Sequence, residues 1–171
     1  FQGSRGLGDV YKRQIEGSNR FIKRIWKITE ENISCIRDEY EFDFEDLSNK
    51  NKEFLIKINK TIDKVNYDLD RMQFNTAIAS MMELLNHAYK YKEDNNADPK
   101  LFGFFVYVFI ILLNPLIPHL SNELWSKSNF KEKDINKLWI KPDKNILMKD
   151  IIKVVIQING KKKSLIKMEK N

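Results

Sequence analysis

Through most of this chain apolar residues recur every three or four positions, the spacing that lines one face of an α-helix. From Ser18 the segment SNRFIKRIWKIT sets Phe21, Ile22, Ile25, Trp26 and Ile28 on one face and Arg20, Lys23, Arg24 and Lys27 largely on the other, with Ser18 a reasonable N-cap. The acidic, aromatic stretch EENISCIRDEYEFDFEDLS shows no clear period and reads as a loop with at most a short helix. Ser48 then precedes a second helix, with Phe54, Leu55, Ile58, Ile62 and Val65 on its apolar face, reaching about Tyr67. A third carries Phe74, Ala77, Ile78, Met81, Leu84, Leu85 and Ala88, with Asn75 a candidate cap and the break between the two helices near Asp70 to Gln73. EDNNADP is a turn by composition.

Leu101 to Leu113 is apolar on every side. A membrane-spanning helix needs about 20 such residues, and this run meets Asn114 and Pro115 first, so it reads as a central helix enclosed by its neighbours. The corner NPLIPHLSNELW follows. Pro115 and Pro118 lack an amide donor and push the residue before them out of the helical region, so one helix ends here and another begins, sending Leu120, Leu124 and Trp125 to the core. Beyond Ser128 the pattern is loop-like until KDIIKVVIQINGKKKSLIKM, where β-branched residues flank Asn159-Gly160, a strong hairpin signal. The fold class is therefore all-α, a bundle of about five helices followed by an incomplete β-hairpin-containing tail, since a lone hairpin is marginal in water.

Composition adds bounds. At 171 residues, with 42% hydrophobic and 32% charged positions, the chain suits one good core with a small appendage. Its single cysteine, Cys35, has no partner for a disulfide and no ligand spacing around it. The net charge of +6 is uneven: Lys127 to Asn171 holds 13 Lys against 5 acids, a net of +8, which leaves −2 for the rest. Clustered lysines favour a polyanion, although a Lys- and Asn-rich, Arg-poor composition also follows from an AT-rich gene. The opening residues lack a signal peptide's apolar run. DVYKRQ is what a transposon end used for sequencing libraries encodes, and FQGS resembles a protease-site remnant. Residues 1–14 thus read as a cloning or sequencing artefact, 15–128 as the helical domain, 129–149 as a linker and 150–171 as a truncated β-containing domain, the whole being a piece of something larger.

Self-contained chemistry is missing from the sequence. His87 and His119 fall on different helices without a metal-ligand motif, and no glycine-rich phosphate loop or GxSxG exists. Asp68 and Asp70 have no apolar pocket in evidence to split their pKa values. The expectation is no catalytic residue, no metal and no cofactor. KMEKN at the end looks like the KMSKS loop of class I aminoacyl-tRNA synthetases, but extends a strand with no nucleotide fold before it, and is rejected. Two groups of cations suit phosphates: Lys161, Lys162 and Lys163 past the hairpin turn, and the stripe Arg20, Lys23, Arg24 and Lys27 beside Trp26. A solvated turn and an ordinary amphipathic helix account for the same residues equally well.

Four segments in order, IEGSNRFIKRIWKI, FNTAIASMMELLN, NPLIPHLSNELW and VVIQINGKKKSLIK, resemble the C-terminal part of a leucyl-tRNA synthetase, from about Ile15 to the end. FNTAIA and PHxxxELW recur in the valyl and isoleucyl enzymes, which remain alternatives. The opening NRFxxRxW and closing IQINGK point to leucine. The resemblance implies an anticodon-binding bundle closed by a structural corner, in which Pro118 starts the helix, His119 and Glu123 bond one another and Trp125 fills the core. It implies a cytoplasmic parent that adenylates leucine with ATP and Mg²⁺ and esterifies leucine tRNA. The partners implied are that tRNA and the remaining catalytic and editing domains, with no membrane. This piece, lacking the HIGH and KMSKS motifs, would be inactive alone and would position the RNA through its cations. A helical protein-interaction scaffold, pairing through the hairpin edge, is the reading from a different class.

Overall fold

The computed structural model describes the backbone of residues 5–93, 97–149, 151–158 and 161–169, and side chains within 15–93 and 97–149. Five long helices, α1 (Arg5–Glu30), α2 (Asn49–Asp70), α3 (Phe74–Lys92), α4 (Pro99–Leu113) and α5 (Pro118–Ser126), precede a short α6 (Lys144–Met148). Strands β1 (Ile151–Ile158) and β2 (Lys161–Glu169) pair antiparallel, with an irregularity in register after Ile156. The turn expected at Asn159-Gly160 lies outside the described residues.

The greasiest helix is the axis. Asp98 caps α4 by accepting from the amides of Lys100 and Leu101, Pro99 supplies a preset φ, and the apolar residues from Leu101 to Leu113 are buried apart from Phe104 and Tyr107, which are partly buried. α2, α3 and α5 pack around it. Phe54 of α2 stacks on Tyr91 of α3 at 4.2 Å and meets Phe105 of α4 at 5.7 Å, so three helices share one aromatic seam. At Gly103 an added Cβ would lie 2.1 Å from the Cys35 carbonyl oxygen. Glycine is what lets the 3₁₀ turn Ile33–Cys35 press its backbone onto α4.

The connector before α2 is more ordered than its composition suggests. In EYEFDFE, Tyr40, Phe42 and Phe44 turn inward while Glu39, Glu41, Asp43 and Glu45 face solvent, a period of two. Tyr40 meets Phe104 and Tyr107 of α4 at 5.2 and 5.6 Å, and burial pushes its hydroxyl up to about 12. Residues 129–149 are likewise laid along the bundle. Ile135 is fully buried, Asn66 donates to the Ile140 carbonyl at 3.1 Å, and the Asp143 amide donates to Asn59 Oδ1 at 2.8 Å.

Several local expectations are corrected. Ser18 is not a cap, because α1 runs unbroken from Arg5 with no proline to stop it. Asn75 lies inside α3, whose N-cap position is Gln73. Ile22 and Phe74 are exposed, one at the edge of its stripe and the other a turn too early to reach the core. Ser48 does cap α2, accepting from the Asn51 amide.

The turn between α2 and α3 is a Schellman motif: the Gln73 amide donates to the Asp68 carbonyl at 2.8 Å and the Met72 amide to that of Leu69 at 3.0 Å. Its left-handed position is held by Met72, at φ 56, where glycine is the usual occupant. A side chain there costs about 1–2 kcal/mol, part of which glycine's greater unfolded-state entropy returns. Met72→Gly is therefore expected to raise stability by about 1 kcal/mol, read as a higher urea midpoint at unchanged m-value. A midpoint that stays put or falls would show the turn to be unstrained.

Candidate nucleic-acid interface

Arg20, Lys23, Arg24 and Lys27 all stand exposed along α1, because the buried Phe21, Ile25 and Ile28 turn the opposite face inward. Among the described residues no carboxylate pairs with Arg20, Lys23 or Arg24 at ion-pair distance. Arg20 reaches the Glu16 carbonyl oxygen at 3.4 Å. The Arg24 guanidinium lies 4.7 Å from the centre of the Tyr89 ring, whose hydroxyl donates to the Arg24 carbonyl at 3.0 Å, so α3 steadies this part of the row. Glu31, near Lys27, is bound instead by Lys92 at 2.7 Å, which holds its carboxyl below the ordinary value. The cation over Trp26 comes from elsewhere: Lys127, beyond α5, lies 4.3 Å from a Trp26 ring and pairs with Glu30 at 2.9 Å.

A second basic surface went unread in the sequence. Lys57, Lys60, Thr61 and Lys64 of α2 face Thr76, Ala79, Ser80 and Glu83 of α3 across an open groove of about 380 Å³. The signal was there, since those lysines recur at three and four on the face opposite the apolar stripe. Much of this charge is spent locally. Lys57 reaches Glu83 at 3.0 Å, and Lys64 reaches the fully buried Asp68 at 2.6 Å, holding that carboxyl below its ordinary range against the opposing pull of burial. Polyanion binding by counterion release needs cations free of such partners, which favours the α1 row.

The remaining candidates separate clearly. The side chains of Lys161, Lys162 and Lys163 lie outside the described ones. His87 is exposed at the α2/α3 surface, and partial desolvation, then Lys57 and Lys90, depress its pKa, which disfavours its charged form. At the corner, Trp125 is buried and its indole N–H donates to the Glu132 carbonyl at 2.9 Å. His119 and Glu123 are both exposed and do not bond one another, contrary to expectation. The closure is made instead by Asn114, whose Oδ1 accepts from Ser121 at 2.8 Å, and by Asn122, which donates to the Pro118 carbonyl at 2.8 Å. Among the described residues no group of three His, Cys, Asp or Glu could hold a metal, and no helix is long and apolar enough to cross a membrane.

Comparison with known proteins gives the chain its family. The family described as the anticodon-binding domain of tRNA ligase matches residues 51–171. A leucine–tRNA ligase of Brachyspira hyodysenteriae is 36% identical over 160 residues, covering 92% of this chain and 19% of the ligase. One from Shewanella loihica is 38% identical over 148 residues, covering 86% and 17%. Among solved structures, the ternary complex of the Agrobacterium radiobacter K84 LeuRS with tRNA and LeuAMS superposes with a TM-score of 0.74 at 25% identity, over 91% of this chain and 20% of that one. The chain thus spans about one-fifth of the length of the relatives it matches.

Proposed function

Since the chain belongs to the anticodon-binding domain family of tRNA ligases, we propose that it is the tRNA-binding helical portion of a leucyl-tRNA synthetase. What supports this is the likeness along nearly the whole chain to a tRNA-bound relative, together with a row of exposed cations on α1, of which Arg20, Lys23 and Arg24 pair with no carboxylate among the described residues. In this reading the parent joins leucine to its tRNA in the cytoplasm, using ATP and Mg²⁺. In the same reading those ligands are held by the rest of the ligase. That reading takes residues 15–128 as the helical domain, 129–149 as the linker, 150–171 as part of a β-containing domain, and 1–14 as belonging to none of them.

The contribution to mechanism is positional. Arg20, Lys23, Arg24 and Lys27, with Lys161 to Lys163, hold phosphates so that the distant acceptor end is presented to the catalytic part, and such contacts give affinity without reading bases. Leucine tRNA titrated against the chain at rising salt is expected to bind weakly, with log K falling linearly in log salt. Each phosphate contact removed by alanine, in the α1 row or the lysine run, is expected to lower the slope by about 0.7–0.9. Salt-independent binding, or slopes untouched by both sets of substitutions, would reject the electrostatic reading.

A further inference from the structure

Lys137 closes the 3₁₀ turn Ile135–Lys137, and Leu138 leaves it in extended backbone. From there the side chains alternate: Leu138 and Ile140 pack against the core, while Lys137, Trp139 and Lys141 stand exposed. Trp139, 47% exposed, is thus an indole set between two lysines, and neither lysine pairs with a carboxylate among the described residues. The two acids that flank the strip are occupied: Asp134 accepts from the Asn136 amide at 3.0 Å and Asp143 from that of Asn145 at 2.8 Å. The backbone beneath the ring is fastened to α2, where Asn66 holds the Ile140 carbonyl and Asn59 the Asp143 amide.

We infer that Trp139 is a stacking platform for an unpaired base of the bound RNA, with Lys137 and Lys141 on the phosphates to either side. The inference rests on the function proposed above and adds a contact of another kind, since the α1 cations are assigned to phosphates alone. An unpaired base needs a flat ring with a face left open, and the strand that carries it brings the negative charge that the lysines answer. A protein partner fits less well. Tryptophan at the centre of a protein interface sits among apolar neighbours, where lysine is depleted, and here the exposed neighbours two positions away on each side are both lysine. Because α2 already holds the strip in place, little further ordering accompanies the stacking.

Tryptophan fluorescence tests this in a Trp26→Phe background, because Trp26 lies beside the α1 cations and would report on them, whereas the buried Trp125 gives a constant baseline. Leucine tRNA, and a single-stranded uridine oligonucleotide as a probe without tertiary fold, are each expected to quench Trp139. Trp139→Ala is expected to weaken tRNA binding about tenfold at every salt concentration with the salt slope unchanged, and Trp139→Tyr to stay within about threefold of the parent. Lys137→Ala and Lys141→Ala are each expected to lower the slope by about 0.7–0.9. A Trp139→Ala chain that binds tRNA as tightly as the parent would overturn the inference and leave the assigned function standing. Quenching by the oligonucleotide in a chain that binds no tRNA would keep the platform and sink that function. Quenching by neither RNA overturns the platform. So does a Trp139 signal that changes with chain concentration, or a position 139 shielded from solvent in the full-length ligase before RNA is added, either of which would make the ring a protein contact.

Discussion

Trp125→Ala is expected to lower the unfolding free energy by about 3–5 kcal/mol, the range for emptying a buried large aromatic site. Trp125 is 2% exposed and packs against Tyr107 and Phe130 at 5.8 and 5.0 Å, so its removal opens a cavity where α4, α5 and the segment after α5 meet. It also strips the Glu132 carbonyl of its indole donor. Trp125→Phe keeps most of the volume and loses the N–H, with an expected cost of about 1–2 kcal/mol. Trp139, 47% exposed, is the control, and Trp139→Ala is expected to stay within about 0.5 kcal/mol. Urea unfolding followed by far-ultraviolet circular dichroism measures all three. A Trp125→Ala midpoint matching that of Trp139→Ala would remove the corner from the set of structural anchors.

Gly103→Ala is expected to destabilise by about 2–4 kcal/mol, although alanine ordinarily strengthens a helix interior by about 1 kcal/mol. The added methyl would sit 2.1 Å from the Cys35 oxygen and 2.7 Å from its carbonyl carbon. Those are backbone atoms and cannot swing aside as a lysine tip can. The Ile33–Cys35 turn must lift from α4, loosening the connector that carries Tyr40 and Phe42. Amide exchange at residues 33–36 is expected to accelerate more than at the centre of α4. Unchanged stability in Gly103→Ala would mean that the turn does not bear on the helix.

Periodic elements were legible in the sequence because burial enforces their spacing. Phe54, Ile58, Ile62 and Val65 lie inside as their three- and four-residue rhythm requires, and the continuous apolar run of α4 is enclosed. What escaped was contact made by residues without a helical rhythm. The alternation Glu39-Tyr40-Glu41-Phe42-Asp43-Phe44 is short and acidic enough to pass for a solvated loop, yet its rings cover one side of α4. The ties from Asn59 and Asn66 to residues 143 and 140 join positions about 80 apart, a pairing that no local pattern announces. Of the candidate interface, the α1 row was visible as an amphipathic face. Which cations are already neutralised depended on tertiary neighbours such as Glu83 and Glu30, and so could not be read in advance.

The anchoring of residues 129–149 sets a geometric limit. With Asn59 and Asn66 gripping that stretch and Lys149 joined to Glu45 in front of α2, the chain is pegged to the bundle as far as Lys149. Lys161 follows Lys149 by twelve positions, a leash of at most about 40 Å when taut. Under the proposed function, an RNA strand held by both the tail lysines and α1 would pass through one bounded sphere around that peg, which confines the angle at which it can lie across the helices.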